Sequence, residues 1–330
     1  MTRRNWITSL LALHLLVGIV ELALSGMPIG DFKRFWAEAT TEGRPYVDYL
    51  VEVPLGALGV FKLFALPGSY RVFAAAIVIL NIACDLLIAR CLWRVWGARA
   101  TIFYLACALP VLPLVNYRMD LWSTLMATCA LAAWTRQRPA ISGAAAVVGA
   151  SLKIWPLPLA VWFVADPAAD WRSRRRAIVA LAVAGAIAGA IWLAVAGVGG
   201  PGQVVTFRAA QGWEIESTVG SVLNLLDPGA ARIESGAWRT GHMSPTLSVV
   251  LLGIATVLMS VIVMAGARKQ TLGATWIAGV GVLLICSPLF SAQYIVWLAP
   301  AAAIAWSEGD ERTASMTAAT IFLTGLSFVF

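Results

Sequence analysis

The chain has 330 residues, of which 60% are hydrophobic and only 12% are charged, and its mean hydropathy is +0.81. A soluble domain keeps about a quarter of its residues charged, so this composition excludes an ordinary water-soluble protein. The net charge of +7 does not indicate nucleic-acid binding, because the basic residues stand in short clusters between apolar runs. The five cysteines lie in apolar segments without metal-ligand spacing, which is typical of small buried residues.

The first apolar run, residues 6–25, follows Arg3 and Arg4 and predicts an uncleaved first helix. A cleaved signal peptide is the alternative, although Glu21 interrupts the run and no clear small-x-small site follows it. Further crossings are predicted over residues 70–93, 99–115, 120–134, 177–198, 245–267, 272–287, 292–306 and 314–330. The predicted fold class is therefore an all-α polytopic bundle of about nine spans, in one domain over residues 1–330.

Residues 139–165 have a different pattern from the other apolar runs. A small-residue run, 140–152, is followed by Lys153, and the next stretch, 154–164, carries Pro156 and Pro158. Each half is shorter than the ~20 residues that a transmembrane helix needs. We predict two short re-entrant helices that enter and return, with Lys153 near the turn. The alternative is one long broken span, which would invert the orientation of everything after it.

The basic clusters decide between these two topologies, because cytoplasmic loops are enriched in Lys and Arg. With the re-entrant pair, every compact cluster falls on the cytoplasmic side: Arg3 and Arg4, Arg90, Arg94 and Arg99, Arg136 and Arg138, residues 172–176, and Arg268 with Lys269. With one broken span, the last two clusters would lie outside. The prediction is therefore a plasma-membrane protein with long extracytoplasmic loops at 27–69 and 199–243, and in-plane helices in the first.

This topology gathers polar side chains from five separate parts of the chain near the extracytoplasmic face. They include Asp31 and Glu52, Arg118 and Asp120, Lys153, Glu214 and Glu216, and Gln293 with Tyr294. A pore or flippase would more naturally distribute its polar groups through the depth of the bilayer. The pattern favours a site that is open to the outside and takes one substrate from the membrane.

Five of these polar residues have a structural interpretation beside the functional one. Asp31 is a candidate general base or a helix N-cap, and Glu52 precedes a predicted helix over 55–65 that it also suits as a cap. Arg118 and Asp120 are spaced to pair with each other, or Asp120 caps the next helix. Lys153, costly between apolar half-helices, binds either a phosphate or a structural partner such as Asp120.

Several motifs, in chain order, resemble those of glycosyltransferase family 87, the polyprenyl-phosphate-mannose-dependent mannosyltransferases of the GT-C superfamily. They are Asp31 followed by Gly43-Arg-Pro-Tyr-Val-Asp48 and Glu52-Val-Pro54; Asn116-Tyr-Arg-Met-Asp120; Ala150-Ser-Leu-Lys-Ile-Trp-Pro156; Glu214-Ile-Glu-Ser217; and Ser287-Pro-Leu-Phe-Ser-Ala-Gln-Tyr-Ile-Val-Trp-Leu-Ala-Pro300. The chain departs from the family where Glu-Tyr-Pro-Pro is replaced by Glu-Val-Pro-Leu and where Ala292 interrupts Ser-Pro-Gln-Tyr. It is also shorter than many members.

The resemblance implies an inverting membrane hexosyltransferase that uses a polyprenyl-phosphate-sugar, with mannose expected, and a lipid-linked or envelope-glycan acceptor. It implies Asp31 as the catalytic base and Lys153 and Arg118 at the donor phosphate. Substrate contacts are then expected from Glu52, Asp120, Glu216, Gln293 and Tyr294. No cofactor is expected, and no clustered motif indicates a metal.

Two other classes of function fit the composition. A transporter or flippase for a lipid-linked sugar explains the helices and cations, and it predicts mid-bilayer polar residues and an inverted repeat. A non-catalytic subunit of an envelope-assembly complex would use its loops as a docking surface. The acceptor cannot be named from the residues, and arabinose, glucose or galactosamine remain alternatives to mannose.

Overall fold

The computed structural model describes residues 2–25, 31–206, 210–234 and 237–327, and most of them are helical. The predicted helical fold class is confirmed at this level. The helices are Arg3–Leu24 (α1), Phe32–Thr40 (α2), Leu55–Ala65 (α3), Tyr70–Ala108 (α4), Leu112–Val115 (α5), Asp120–Thr135 (α6), Pro139–Leu152 (α7), Val161–Ala165 (α8), Trp171–Ala196 (α9), Gly200–Val205 (α10), Thr218–Leu226 (α11), Pro245–Lys269 (α12), Leu272–Cys286 (α13), Ala299–Glu308 (α14) and Glu311–Ser327 (α15).

A small β-sheet in the second long loop departs from the all-α prediction. Strands Trp213–Glu214 (β1), Arg232–Glu234 (β2) and Ala237–Thr240 (β3) are antiparallel, in the order β1-β3-β2. Strands of two to four residues are too short to produce a recognisable alternation of apolar and polar residues. The all-α prediction is therefore wrong for this loop.

Four helical stretches among the described residues are long and apolar enough to cross a membrane: Arg3–Leu24, Tyr70–Val115, Trp171–Ala196 and Pro245–Lys269. No residue in the apolar window of α9 is buried, so this helix lies at the surface of the bundle, where it packs on α7. The other predicted crossings coincide with shorter helices, including α6, α13 and α15. The ends of two predicted segments, residues 27–30 and 328–330, lie outside the described part of the chain.

The longest helical stretch reverses direction within itself. Gly97 has φ 84° and ψ −173°, which is open to glycine but strained for other residues. The Thr101 hydroxyl then lies 3.5 Å from the Ala89 carbonyl oxygen, and the Tyr104 hydroxyl donates to Asp85 Oδ1 at 2.7 Å. The two arms are therefore antiparallel, and they match the separate runs 70–93 and 99–115 that the sequence predicts.

Helix α1 packs on these arms through buried polar residues. His14 lies 2.6 Å from Asp85 Oδ2 through Nδ1 and 2.7 Å from the Leu105 carbonyl oxygen through Nε2. Glu21 accepts a hydrogen bond from the side-chain amide of Asn116. His14 and Glu21 are seven residues apart, a spacing that places both on one face of α1, toward neighbouring helices. Each faces those helices, and each is bonded to different residues there. The N-terminus of α1 consequently points toward the Gly97 turn.

The chain also turns back at Lys153, whose backbone is extended with φ −160° and ψ 129°. After α7, a 3₁₀ turn and α8 bring the chain to Asp166, which accepts a 2.7 Å hydrogen bond from Trp134 Nε1. Trp134 is at the end of α6, just before α7 begins. The chain therefore returns around Lys153 to the end of the bundle at which α7 begins.

The basic clusters gather at one end of the bundle. Arg136 donates to the Arg94 carbonyl oxygen, and Arg174 donates to the carbonyl oxygen of Asp166 at 2.7 Å. The Gln270 side-chain amide also donates to Asp166 Oδ1, at 2.9 Å, next to the basic end of α12. Four of the predicted clusters are thus neighbours in space, and the turn of the chain at Lys153 lies at the other end of the bundle.

Candidate functional site

A cavity of about 910 Å³ lies at the end of the bundle where the chain turns at Lys153. Its polar part is lined by Asp31, Arg34, Glu52, Arg118, Asp120, Lys153, Glu214, Glu216, Arg239, Ser291, Gln293 and Tyr294. Every residue that the sequence predicts for the site is among them. The five separate parts of the chain therefore converge on one cavity, as the sequence predicts, while the role of each residue stays a prediction.

Helix α2 carries Asp31 and Arg34 to the edge of this cavity. Phe32 and Phe35 are buried, and the Phe35 ring stacks on Phe61 of α3 at 4.4 Å between centroids. This packing fixes one face of α2 in the core. The adjoining face then presents Asp31 and Arg34 to the cavity, because helix residues three apart share a face.

Asp31 occupies the N-cap position of α2, but its side chain makes no capping hydrogen bond. Its Oδ2 is instead paired with Arg34 Nη2 at 2.9 Å and with Arg118 Nη1. Glu52 Oε1 lies 2.7 Å from the same Arg34 nitrogen, and the N-cap of α3 is Pro54. The capping interpretations of both acids are wrong, because their carboxylates contact guanidinium groups instead of the helix N-termini.

Arg118 and Asp120 do not pair with each other, contrary to one interpretation of their spacing. The Asn81 side-chain amide donates to the carbonyl oxygens of Asn116 at 2.8 Å and Arg118 at 2.7 Å, which holds the turn before α6. From this turn, Arg118 reaches Asp31 and Asp120 reaches Lys153. Asp120 is the first residue of α6 rather than its cap, so that interpretation is also wrong.

Lys153 lies against aromatic rings and a carboxylate. Its Nζ is 2.6 Å from Asp120 Oδ1, 3.9 Å from the Tyr294 ring centroid and 4.9 Å from that of Trp297. Trp297 stacks between Tyr294 and Trp155, at 4.6 and 4.9 Å, and its Nε1 donates to Asp120 Oδ1 at 2.8 Å. The predicted structural partner of Lys153 is confirmed as a contact, and the cation still lines the cavity.

The second long loop contributes Glu214 and Glu216 and is fixed to the 287–294 turn. Ser291 Oγ donates to Glu214 Oε1 at 3.3 Å, and the Ala292 backbone N–H donates to Glu216 Oε2 at 3.1 Å. The Glu214 N–H also donates to the Pro288 carbonyl oxygen at 3.2 Å. These contacts close one wall of the cavity.

Two charged lining residues, Arg34 and Arg239, were missed as site candidates by sequence reasoning, and Glu214 was placed near this face without a role of its own. Arg34 is one helical turn after Asp31, a spacing that predicts an ion pair. Arg239 lies on β3 and donates to the Gly212 carbonyl oxygen at 2.9 Å. No sequence signal points to Arg239, because its position depends on a strand that is not recognisable in the sequence.

Burial, which has the largest effect, and the neighbouring Glu216 carboxylate together raise the pKa of Glu214 to about 7. Burial also raises the pKa of Glu216, against the effects of the Ala292 N–H and of Arg118. Both acids therefore bind protons more tightly in the folded protein than in an unfolded chain.

Replacing Glu214 with glutamine should flatten the dependence of stability on pH. The folded protein keeps the Glu214 proton up to about pH 7, whereas an unfolded chain releases it near 4.5, so this stabilisation is complete below pH 4.5 and lost as the pH rises through 7. We expect the Tm of the wild type to fall between about pH 5 and about pH 8, and that of Glu214→Gln to fall less. An equal fall in both proteins would contradict the assignment.

The rest of the cavity is an apolar arm between helices. Along α12 it is lined by Val249, Leu252, Gly253, Thr256 and Ser260, whose spacing of three and four residues marks one helix face. The opposite sides are formed by Leu157, Pro158, Val161, Leu283 and Leu284. A part lined by cations and carboxylates beside an apolar part suits an amphiphile with a polar headgroup.

Within residues 2–25, 31–206, 210–234 and 237–327, no group of three or more His, Cys, Asp or Glu side chains is arranged to hold a metal ion. No family model matches the chain, and neither does any curated protein or solved structure.

Proposed function

We propose that this chain is an integral membrane glycosyltransferase that takes a hexose, in the first place mannose, from a polyprenyl-phosphate-sugar. The acceptor is a lipid-linked or envelope glycan. The observation that carries the proposal is a single cavity whose charged part, lined by cations and carboxylates, opens into an apolar part between helices. Such a cavity suits a ligand with a phosphate, a sugar and a long hydrocarbon chain, since each part finds groups of matching chemistry.

The proposed arrangement in the plasma membrane has about nine full crossings and the re-entrant pair around Lys153. Its support is the gathering of basic clusters at one end of the bundle, which is the pattern of a cytoplasmic surface. The cavity at the other end then faces the extracytoplasmic side. A lipid-borne donor enters from the bilayer, and the acceptor arrives from outside.

In the proposed reaction, a carboxylate takes the acceptor hydroxyl proton while the oxygen attacks the anomeric carbon and the lipid phosphate leaves. One such step inverts the anomeric configuration and needs a base and stabilisation of the departing phosphate. Asp31 is the proposed base, and Arg118 and Lys153 are the proposed phosphate ligands. Their support is that all three line the polar part of the cavity.

Among the remaining candidates, Asp120 is the most deeply buried. Glu52, Glu216, Gln293 and Tyr294 line the cavity and are proposed to bind sugar or acceptor hydroxyl groups. Asp120 is 1% exposed and is bonded to both Lys153 and Trp297, so its proposed part is to hold the lysine in position.

A transfer assay with a panel of donors tests the function. Purified protein is given polyprenyl phosphates that carry labelled mannose, glucose, galactosamine or arabinose, together with an extract of envelope lipids and glycans. We expect label to move from the mannose donor to an acceptor. Movement of intact donor across vesicles without transfer would indicate the transporter instead, and neither activity would favour the assembly subunit.

A further inference from the structure

The two cations of the proposed phosphate site, and Arg34 beside them, are already paired with carboxylates. Arg34 contacts Asp31 and Glu52, Arg118 contacts Asp31, and Lys153 contacts Asp120. The Asp31 carboxylate thus occupies, on Arg118, the place that an incoming phosphate would need.

The two aspartates are held very differently. Asp120 is 1% exposed, and its Oδ1 accepts from both Lys153 and the Trp297 indole. The Asp31 side chain is 19% exposed and begins α2 without capping it. Asp31 is therefore the less enclosed of the two carboxylates and has Arg34 as a second partner, whereas Asp120 is fixed in the core.

The observed pairing also conflicts with the part proposed for Asp31. A carboxylate that is paired with two guanidinium groups has its negative charge stabilised, which makes it a weaker base. Loss of one of the two arginines makes the Asp31 carboxylate a better acceptor for a hydroxyl proton.

We propose that the donor phosphate displaces Asp31 from Arg118, and that this exchange frees the carboxylate to accept the proton of the acceptor hydroxyl. The inference rests on the proposed function and adds an order of events to it. The donor binds first, and only then can the Asp31 carboxylate act as a base. The acceptor hydroxyl gives its proton to Asp31, and the hydroxyl oxygen forms a bond to the anomeric carbon. The bond between the anomeric carbon and the phosphate oxygen breaks. The lipid phosphate leaves with one more negative charge, which Arg118 holds, and the protonated Asp31 later releases its proton to water.

The exchange is tested by the affinity for farnesyl phosphate, a prenyl phosphate without sugar, measured on purified full-length protein in detergent. Asp31→Asn removes the competing carboxylate, so we expect it to bind this probe about tenfold more tightly than the wild type, because no ion pair to Arg118 has to be broken. Asp31→Glu keeps the charge and should bind like the wild type.

Glu42→Gln is the matched control, because it removes the same charge in the same loop from an exposed side chain that does not line the cavity. We expect its affinity to change by less than about threefold. Equal or weaker binding by Asp31→Asn, or an equal gain in Glu42→Gln, would overturn the exchange while leaving a phosphate site. Absence of binding in all four proteins, with normal unfolding midpoints, would overturn the proposed function as well.

Discussion

Asparagine at position 31 is expected to abolish sugar transfer while the protein still inserts and folds. The amide keeps the size of the side chain and removes the carboxylate that would take the acceptor proton. A positioned base contributes about 10²–10⁴ in rate, so the loss of turnover should lie in that range. The measurement is the rate of label transfer from the donor that the wild type uses, at saturating donor and acceptor.

Glu42→Gln gives the matched comparison for this variant. It makes the same change in the same loop, on an exposed side chain that does not line the cavity. We expect its transfer rate to equal that of the wild type. Full activity of Asp31→Asn would remove Asp31 from the role of base, and the buried acids Glu214 and Glu216 would be tested next.

Replacing Lys153 with methionine is expected to destabilise the protein and to weaken donor use. The change leaves the Asp120 carboxylate, 1% exposed, without its cation. Breaking a buried ion pair from one side costs about 3–5 kcal/mol. Unfolding of the purified variant measures this loss, and initial rates over a range of donor concentrations measure the second effect.

A double variant separates the two effects of this change. Lys153→Met with Asp120→Asn removes both charges, so we expect most of the stability to return while donor use stays impaired. Lys33→Met, on an exposed lysine outside the cavity, should change neither quantity. Recovery of full donor use in the double variant would give Lys153 a purely structural role.

The chain path was largely predictable from the sequence. Glycine and arginine between the runs 70–93 and 99–115 mark the turn that Gly97 makes, and Lys153 with Pro156 and Pro158 marks the return. These signals are local, because special backbone angles and buried charge restrict what the chain can do at single positions. The convergence of five segments on one end of the bundle followed from the side of the membrane that was predicted for each of them.

The pairing of charges within the cavity was not predictable in the same way. Arg118 is two residues from Asp120 and yet binds Asp31, because the Asn81 amide fixes the turn between them. That outcome depends on a contact between residues more than thirty positions apart. The small sheet and Arg239 were missed for a related reason, since short strands are defined by their partners rather than by their own residues.

The return at Lys153 sets the depth of the proposed site. Helix α7 has 14 residues, so it rises about 21 Å from the basic end, whereas the hydrocarbon layer of a bilayer is about 30 Å thick. In the proposed orientation, Lys153 then lies below the level at which a lipid headgroup rests in the outer leaflet. The headgroup of the donor must sink toward the protein, or the bilayer must become thinner beside it, before the sugar reaches the carboxylates.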